Sequence, residues 1–114
     1  IYLDRVNLHQ TNITGCHISY ARLGGIRIEE SEIRNLQITG NDIEYNNNRA
    51  HQVPNAEDVP TAEIYIDCGA TGSVREFTIA SNTIQATYSP NGANIRILGA
   101  DTPERQKAGM GCIS

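Results

Sequence analysis

Three short stretches share a pattern able to carry chemistry: Gly-Ile-Arg-Ile-Glu (Gly25–Glu29), Glu-Ile-Tyr-Ile-Asp (Glu63–Asp67) and Asn-Ile-Arg-Ile-Leu (Asn94–Leu98). Along a strand, alternate side chains point to opposite faces. If both Ile of each Ile-x-Ile face inward, their neighbours face out. The outward stack is then Gly25, Arg27, Glu29; Glu63, Tyr65, Asp67; and Asn94, Arg96, Leu98. Arginine suits bidentate recognition of sugar carboxylates or sulfates. Paired carboxylates suit glycoside hydrolysis, where their separation sets the stereochemical outcome. Arg27, Glu29, Glu63, Tyr65, Asp67 and Arg96 are therefore the candidate substrate-binding residues. The competing expectation is a solvated sheet face whose opposite charges pair between adjacent strands.

The positioning elements follow from an internal repeat. An 11-residue block with apolar residues at its first, fourth, sixth and last positions fits Leu3–Ile13, Ile33–Ile43 and Val74–Ile84. Its ninth position holds Thr11, Asn41 and Asn82. These blocks alternate with Ile26–Ile28, Ile64–Ile66 and Ile95–Ile97, and a fourth block is expected to begin at Met110. No segment carries the 3.6-residue period of a helix. One such short strand cannot bury its apolar side alone, but equivalent strands stacked about 4.8 Å apart build a continuous core. The expectation is an all-β parallel β-helix, a solenoid of three to four coils starting near residues 3, 33, 74 and 110. Asn41 and Asn82 should stack at a corner, where Asn tolerates the left-handed backbone and its amides can form a ladder. A second outward stack, Asn7, Gln37 and Thr78, is neutral.

The stretches GIRI, IRNLQITGNDI, EIYI, FTIASNTI and NIRI, covering nearly the whole chain, resemble the right-handed parallel β-helix superfamily of pectin-lyase-like proteins. The resemblance implies a polysaccharide or glycan partner met along one outward sheet. Any enzymatic activity would be of the polysaccharide lyase or glycoside hydrolase type. The turn Gly69-Ala70-Thr71-Gly72-Ser73-Val74 is similar to a polygalacturonase turn that follows an Arg-Ile-Lys strand. Here the Arg position falls on Tyr65 and the Lys position on Asp67, and the Asn-Thr-Asp, Asp-Asp and Gly-His-Gly motifs of those hydrolases are missing. The alternative is a non-catalytic shaft or spacer of a surface, adhesin-like or tailspike-like protein. Neither end reads as a cap, so residues 1–114 are expected to be a single β-helix domain or a fragment of a longer helix, with self-association through uncapped ends. The resemblance also implies an extracellular or cell-surface setting.

Composition narrows the partners. A net charge of −4 argues against nucleic acid, whose phosphates need clustered Lys and Arg. No apolar run approaches the roughly 20 residues needed to span a bilayer. With aromatics at 5% and no Trp, the core must be built from Ile, Val and Leu. Cys16, Cys68 and Cys112 lack C-x-x-C spacing, and His9, His17 and His51 lack metal-ligand spacing, so no cofactor or metal is expected. Two long turns, Asn46–Ala62 with His51, Glu57 and Asp58, and Leu98–Gly109 with Asp101, Glu104, Arg105 and Lys107, flank the charged face. Such loops are where binding surfaces are grafted onto stacked folds.

Overall fold

The computed structural model describes residues 1–47, 61–85, 87, 92–99 and 111–114. The two long turns, and Met110, lie mostly or wholly outside these residues. Every element is a strand. The first coil holds β1 (Tyr2–Asp4), β2 (Asn7–His9), β3 (Asn12–Thr14) and β4 (His17–Ser19). The second holds β5 (Ile26–Glu29), β6 (Glu32–Arg34), β7 (Gln37–Thr39) and β8 (Asp42–Glu44). The third holds β9 (Thr61–Asp67), β10 (Ser73–Arg75), β11 (Phe77–Ala80) and β12 (Thr83–Gln85). The fourth supplies β13 (Gly92–Leu98) and β14 (Gly111–Ile113).

Four parallel sheets result, one per side of the coil: β1-β5-β9-β13, β2-β6-β10, β3-β7-β11-β14 and β4-β8-β12. They are called sheets A to D below. The chain is all-β with stacked parallel sheets, an arrangement that fits a β-solenoid. No helix among the described residues is long and apolar enough to cross a membrane.

A five-residue period drives this geometry. Each short strand turns one apolar side chain inward, Leu3, Leu8, Ile13 and Ile18 in the first coil, where Leu3, Leu8 and Ile18 are partly buried, then the buried Ile28, Ile33, Ile38 and Ile43. A residue of positive φ then turns the corner: Arg5, Gln10, Gly15 and Tyr20 in the first coil, Glu30, Asn35, Gly40 and Tyr45 in the second. Left-handed backbone costs a non-glycine residue roughly 1–2 kcal/mol. The ladder offsets this, because the corner amides still donate to the coil above, Arg5 to the Glu29 carbonyl at 3.1 Å and Gln10 to that of Arg34 at 2.9 Å. Ile26, Ile28, Ile64 and Ile66 are fully buried, as the Ile-x-Ile pattern requires.

The register corrects three expectations. Leu3 pairs with Ile28, not Ile33, and it is Leu8 that pairs with Ile33 and through it with Val74. The first coil's counterpart of Leu36 is therefore Thr11, and its counterpart of Asn41 is Cys16. The tripeptide Ile1-Tyr2-Leu3 takes the place of an Ile-x-Ile, with Tyr2 opposite Arg27. At the other end Ile113 pairs with Ile79, so β14 belongs to sheet C instead of opening a new 11-residue block at Met110. Likewise Asn7 stacks on Glu32, while Gln37 and Thr78 stack with Asn12 and Cys112.

The Asn ladder exists, with different geometry. The left-handed residues are Gly40 and Ser81, each one position before the Asn. Asn41 is buried and points inward. Its backbone amide and its Nδ2 both donate to Asn82 Oδ1 at 3.0 Å, its Nδ2 also reaches the Ile13 carbonyl, and its Oδ1 accepts from Cys16 N at 3.0 Å.

Candidate functional site

Sheet A stacks Tyr2, Arg27, Tyr65 and Arg96 in one outward column, and Asp4, Glu29, Asp67 and Leu98 in the next. Arg27, Glu29, Tyr65, Asp67 and Arg96 thus share one face. Arg27 Nη2 donates to Glu29 Oε1 at 2.7 Å, and its guanidinium carbon lies 4.0 Å from the centre of the Tyr65 ring. The Tyr65 hydroxyl donates to Asp67 Oδ2 at 3.1 Å. Tyr65 is only 5% exposed, so it serves as the platform beneath Arg27. Burial and the Asp67 charge push its phenol pKa up. The Arg27 hydrogen bond holds Glu29 below the usual carboxylate range.

Glu63 leaves this face. It is fully buried, and its carboxylate accepts from the backbone amide of Asn46 at 3.2 Å and, closer still, from Asn46 Nδ2. Burial raises its pKa, although the Asn46 donors and the Thr87 hydroxyl oppose the shift. A side chain at Gly25, the preceding rung, would collide with Asn46 Nδ2 and Ile43 Cγ2, both 2.7 Å from a Cβ placed there. The long β9 strand, buried over its first six residues, makes this an interior position.

What the column leaves open is a cleft of about 400 Å³ at its first-coil end, lined by Ile1, Tyr2, Leu23, Arg27 and Glu29 among others. Tyr2 is 61% exposed and Leu23 38%. The Tyr2 hydroxyl hydrogen-bonds Glu29, which raises its pKa. Arg27 Nη1 is buried with no hydrogen-bond partner among the described residues. The cleft therefore combines an aromatic face, an apolar wall and an ion pair.

Two further groups were not foreseen. On sheet D, the ligand atoms of His17, Asp42 and Glu44 lie within 4.8 Å of one another, the one such grouping able to hold a cation among the described residues. His17 Nε2 is 3.1 Å from Glu44 Oε1 and Gln85 donates to Glu44 Oε2 at 2.5 Å, while Asp42 Oδ2 lies 3.9 Å from His17 Nε2 and Asp42 Oδ1 is buried with no hydrogen-bond partner among the described residues. On sheet B, His9, Arg34 and Arg75 stack in register beside Asn7, Glu32 and Ser73. Placing Leu8 in register with Ile33 and Val74 would have exposed this column, because each is followed by a basic residue. The Gly69–Gly72 turn is held by Glu30, whose carboxylate accepts from Ala70 N at 3.1 Å, Thr71 N at 3.0 Å and Thr71 Oγ1 at 2.7 Å. These donors pull its pKa down to about 2. The turn is structural, and no disulfide joins Cys16, Cys68 and Cys112 among the described residues.

A scan against protein-family models, a search of curated proteins and a search of solved structures return no match for this chain.

Proposed function

We propose that the chain is a right-handed β-helix of the pectin-lyase-like kind that binds a polysaccharide, without cleaving it, along the outward side of sheet A. The observation that carries this reading is the Tyr2 cleft. An exposed phenol ring beside the Arg27–Glu29 ion pair matches a sugar, which offers an apolar ring face and hydroxyls at its edge. Binding is favoured over cleavage because Glu29 stays ionised beside Arg27, while Glu63, the carboxyl with a raised pKa, is sealed in the interior. Asp4 and Asp67 flank Glu29 in its column, but each is held by donors of its own, Asp4 by Arg5 at 2.6 Å and Asp67 by the Tyr65 hydroxyl and the Gly69 amide, an arrangement that favours a structural or binding role over the free acid that glycoside hydrolysis needs. An extracellular or cell-surface setting, where such glycans are met, belongs to the same proposal.

The test is a glycan array probed with the native protein and with Tyr2→Ala and Arg27→Ala. Both substitutions should remove the signal for a common set of glycans. Binding that survives both changes, or no glycan bound at all, would sink the reading. A second reading, a non-catalytic shaft that self-associates end to end, is favoured by the mutual pairing of Arg27 with Glu29 and Tyr65 with Asp67. It expects concentration-dependent species in sedimentation velocity and no glycan binding.

A further inference from the structure

Sheet B presents a second cleft, of about 230 Å³, lined by Asn7, His9, Glu32, Arg34, Ser73 and Arg75. That is smaller than the roughly 300 Å³ at which pockets for drug-sized ligands begin. It is sized for one substituent group. Three features distinguish it from an ordinary charged face.

First, Arg34 and Arg75 are direct neighbours on adjacent parallel strands, with His9 next in the same column. Like charges placed directly opposite one another destabilise a sheet. Second, the side chains of His9, Arg34 and Arg75 make no hydrogen bond or ion pair with any described residue, in contrast to Arg27, which is paired 2.7 Å from Glu29. Third, the Ser73 hydroxyl lies in the cleft lining, is only 3% exposed and has no hydrogen-bond partner among the described residues. A buried hydroxyl without a partner costs about 1–3 kcal/mol. A ligand oxygen would remove that cost and the repulsion between the guanidinium groups together.

We propose that this cleft is a binding site for a tetrahedral oxyanion, the sulfate or phosphate group of an ester. The donor set favours a tetrahedral ion over a carboxylate. One guanidinium already satisfies a carboxylate in bidentate fashion. Two guanidinium groups about one rung apart and a serine hydroxyl supply more donors than two oxygens can take. Glu32 stands between Ser73 and Asn7 in the neighbouring column, where its carboxylate disfavours anions that do not engage both guanidinium groups. The site is on a different sheet from the Tyr2 cleft and does not depend on sugar binding there.

The experiment is a titration of the native chain with inorganic sulfate, inorganic phosphate and acetate, followed by calorimetry and by amide chemical shifts. Sulfate or phosphate should shift the amides of β2, β6 and β10, and whichever binds tighter assigns the ester. Acetate should bind at least about tenfold more weakly, the value of one charge-assisted hydrogen bond. Arg34→Gln and Arg75→Gln should each weaken binding by about tenfold or more. Ser73→Ala should weaken it by a smaller factor while leaving the melting temperature of the free chain unchanged or higher, since it deletes an unpartnered buried group. Tyr2→Ala should leave it untouched. The proposal is overturned if neither tetrahedral ion binds, if acetate binds equally well, or if both Arg variants bind like the native chain.

Discussion

At the Asn41 corner, the group that reaches back from the next coil is the neutral amide of Asn82; at the Asn46 corner it is the carboxylate of Glu63. The two corners are otherwise built alike. Asn41 Oδ1 accepts from Cys16 N, and Asn46 Oδ1 accepts from Ala21 N at 2.9 Å. Asn41 Nδ2 donates to the Ile13 carbonyl, and Asn46 Nδ2 to that of Ile18 at 3.1 Å. In each case the backbone amide and the Nδ2 of the Asn converge on the group from the next coil. Asn82 then closes the series by donating its own Nδ2 to the Ile38 carbonyl at 2.9 Å. A carboxylate can only accept, so Glu63 cannot return a bond to the coil below unless it is protonated. An amide continues the ladder at any pH, while an acid continues it only by taking a proton.

Removing the ladder's central rung should have the largest effect. Asn41→Leu keeps the size and burial but leaves the Cys16 amide without its partner and takes one donor each from the Ile13 carbonyl and Asn82 Oδ1. At about 1–3 kcal/mol for each buried group left unsatisfied, a loss of roughly 3 kcal/mol or more is expected, measured by urea unfolding. A loss under about 1 kcal/mol would mean that water or a shifted backbone replaces the side chain.

Exchanging the two chemistries comes next. Asn82→Asp keeps the acceptor for Asn41 but turns the Ile38 bond into a repulsion, and should cost about 2 kcal/mol near neutral pH. Glu63→Gln should act in the opposite sense. Its Oε1 can accept from both Asn46 donors as Asn82 Oδ1 does from Asn41, and its Nε2 can donate to Thr87. Because the folded pKa of Glu63 is raised above 4.5, the native chain loses stability as pH rises from there through the raised value. The variant should therefore gain on the order of 1 kcal/mol at neutral pH, and the gain should shrink toward pH 4. Equal gains at both pH values would show that folding does not raise the pKa of Glu63.

Glu30 sharpens the contrast because its surroundings act with the opposite sign. Three donors of the Gly69–Gly72 turn face its carboxylate, and they lower the pKa from 4.5 to about 2. Its contribution is complete above 4.5 and is lost as pH falls through about 2. Glu30→Gln should melt lower than the native chain near pH 6, and the two melting curves should converge as pH approaches about 2. A constant gap would mean that the turn does not depend on the carboxylate charge.

Much of this architecture could be read from residue spacing, and the misreading has a physical cause. The Ile-x-Ile stack on sheet A and the pairing of Ile33–Ile43 with Val74–Ile84 are observed as expected. Spacing alone puts the first coil one side out of register. Leu3, Leu8, Ile13 and Ile18 form a comb of five-residue spacing, so an apolar pattern slides along it by one side without penalty. Polar corner residues would have fixed the register, but the first coil carries Cys16 where the others carry Asn. The slip hid Tyr2 from the sheet A column and His9 from the sheet B column. Glu63 was misplaced for a different reason. Strand alternation gives the direction of a side chain, whereas its burial depends on Asn46, which comes from a neighbouring corner.

Cys16 provides the smallest and most discriminating change. It occupies the first-coil rung of the Asn41–Asn82 series, is half-buried, and its thiol lies 3.4 Å from its near neighbour's carbonyl, Thr14 O. Its backbone amide already bonds Asn41 Oδ1. If corner stability comes from amides that both donate and accept, Cys16→Asn adds one rung. Its Nδ2 would donate to Asn41 Oδ1 as Asn41 Nδ2 donates to Asn82 Oδ1. One additional hydrogen bond at a half-buried position should stabilise the chain by up to about 1 kcal/mol, read as a higher urea midpoint with an unchanged m-value. Cys16→Asp offers the acceptor without the donor, and near neutral pH it puts a carboxylate against Asn41 Oδ1. It should be less stable than the native chain, reproducing in an outer coil the penalty carried by Glu63 in the interior. Equal effects of Asn and Asp would show that the rung's shape, not its donor, decides the stability of a corner.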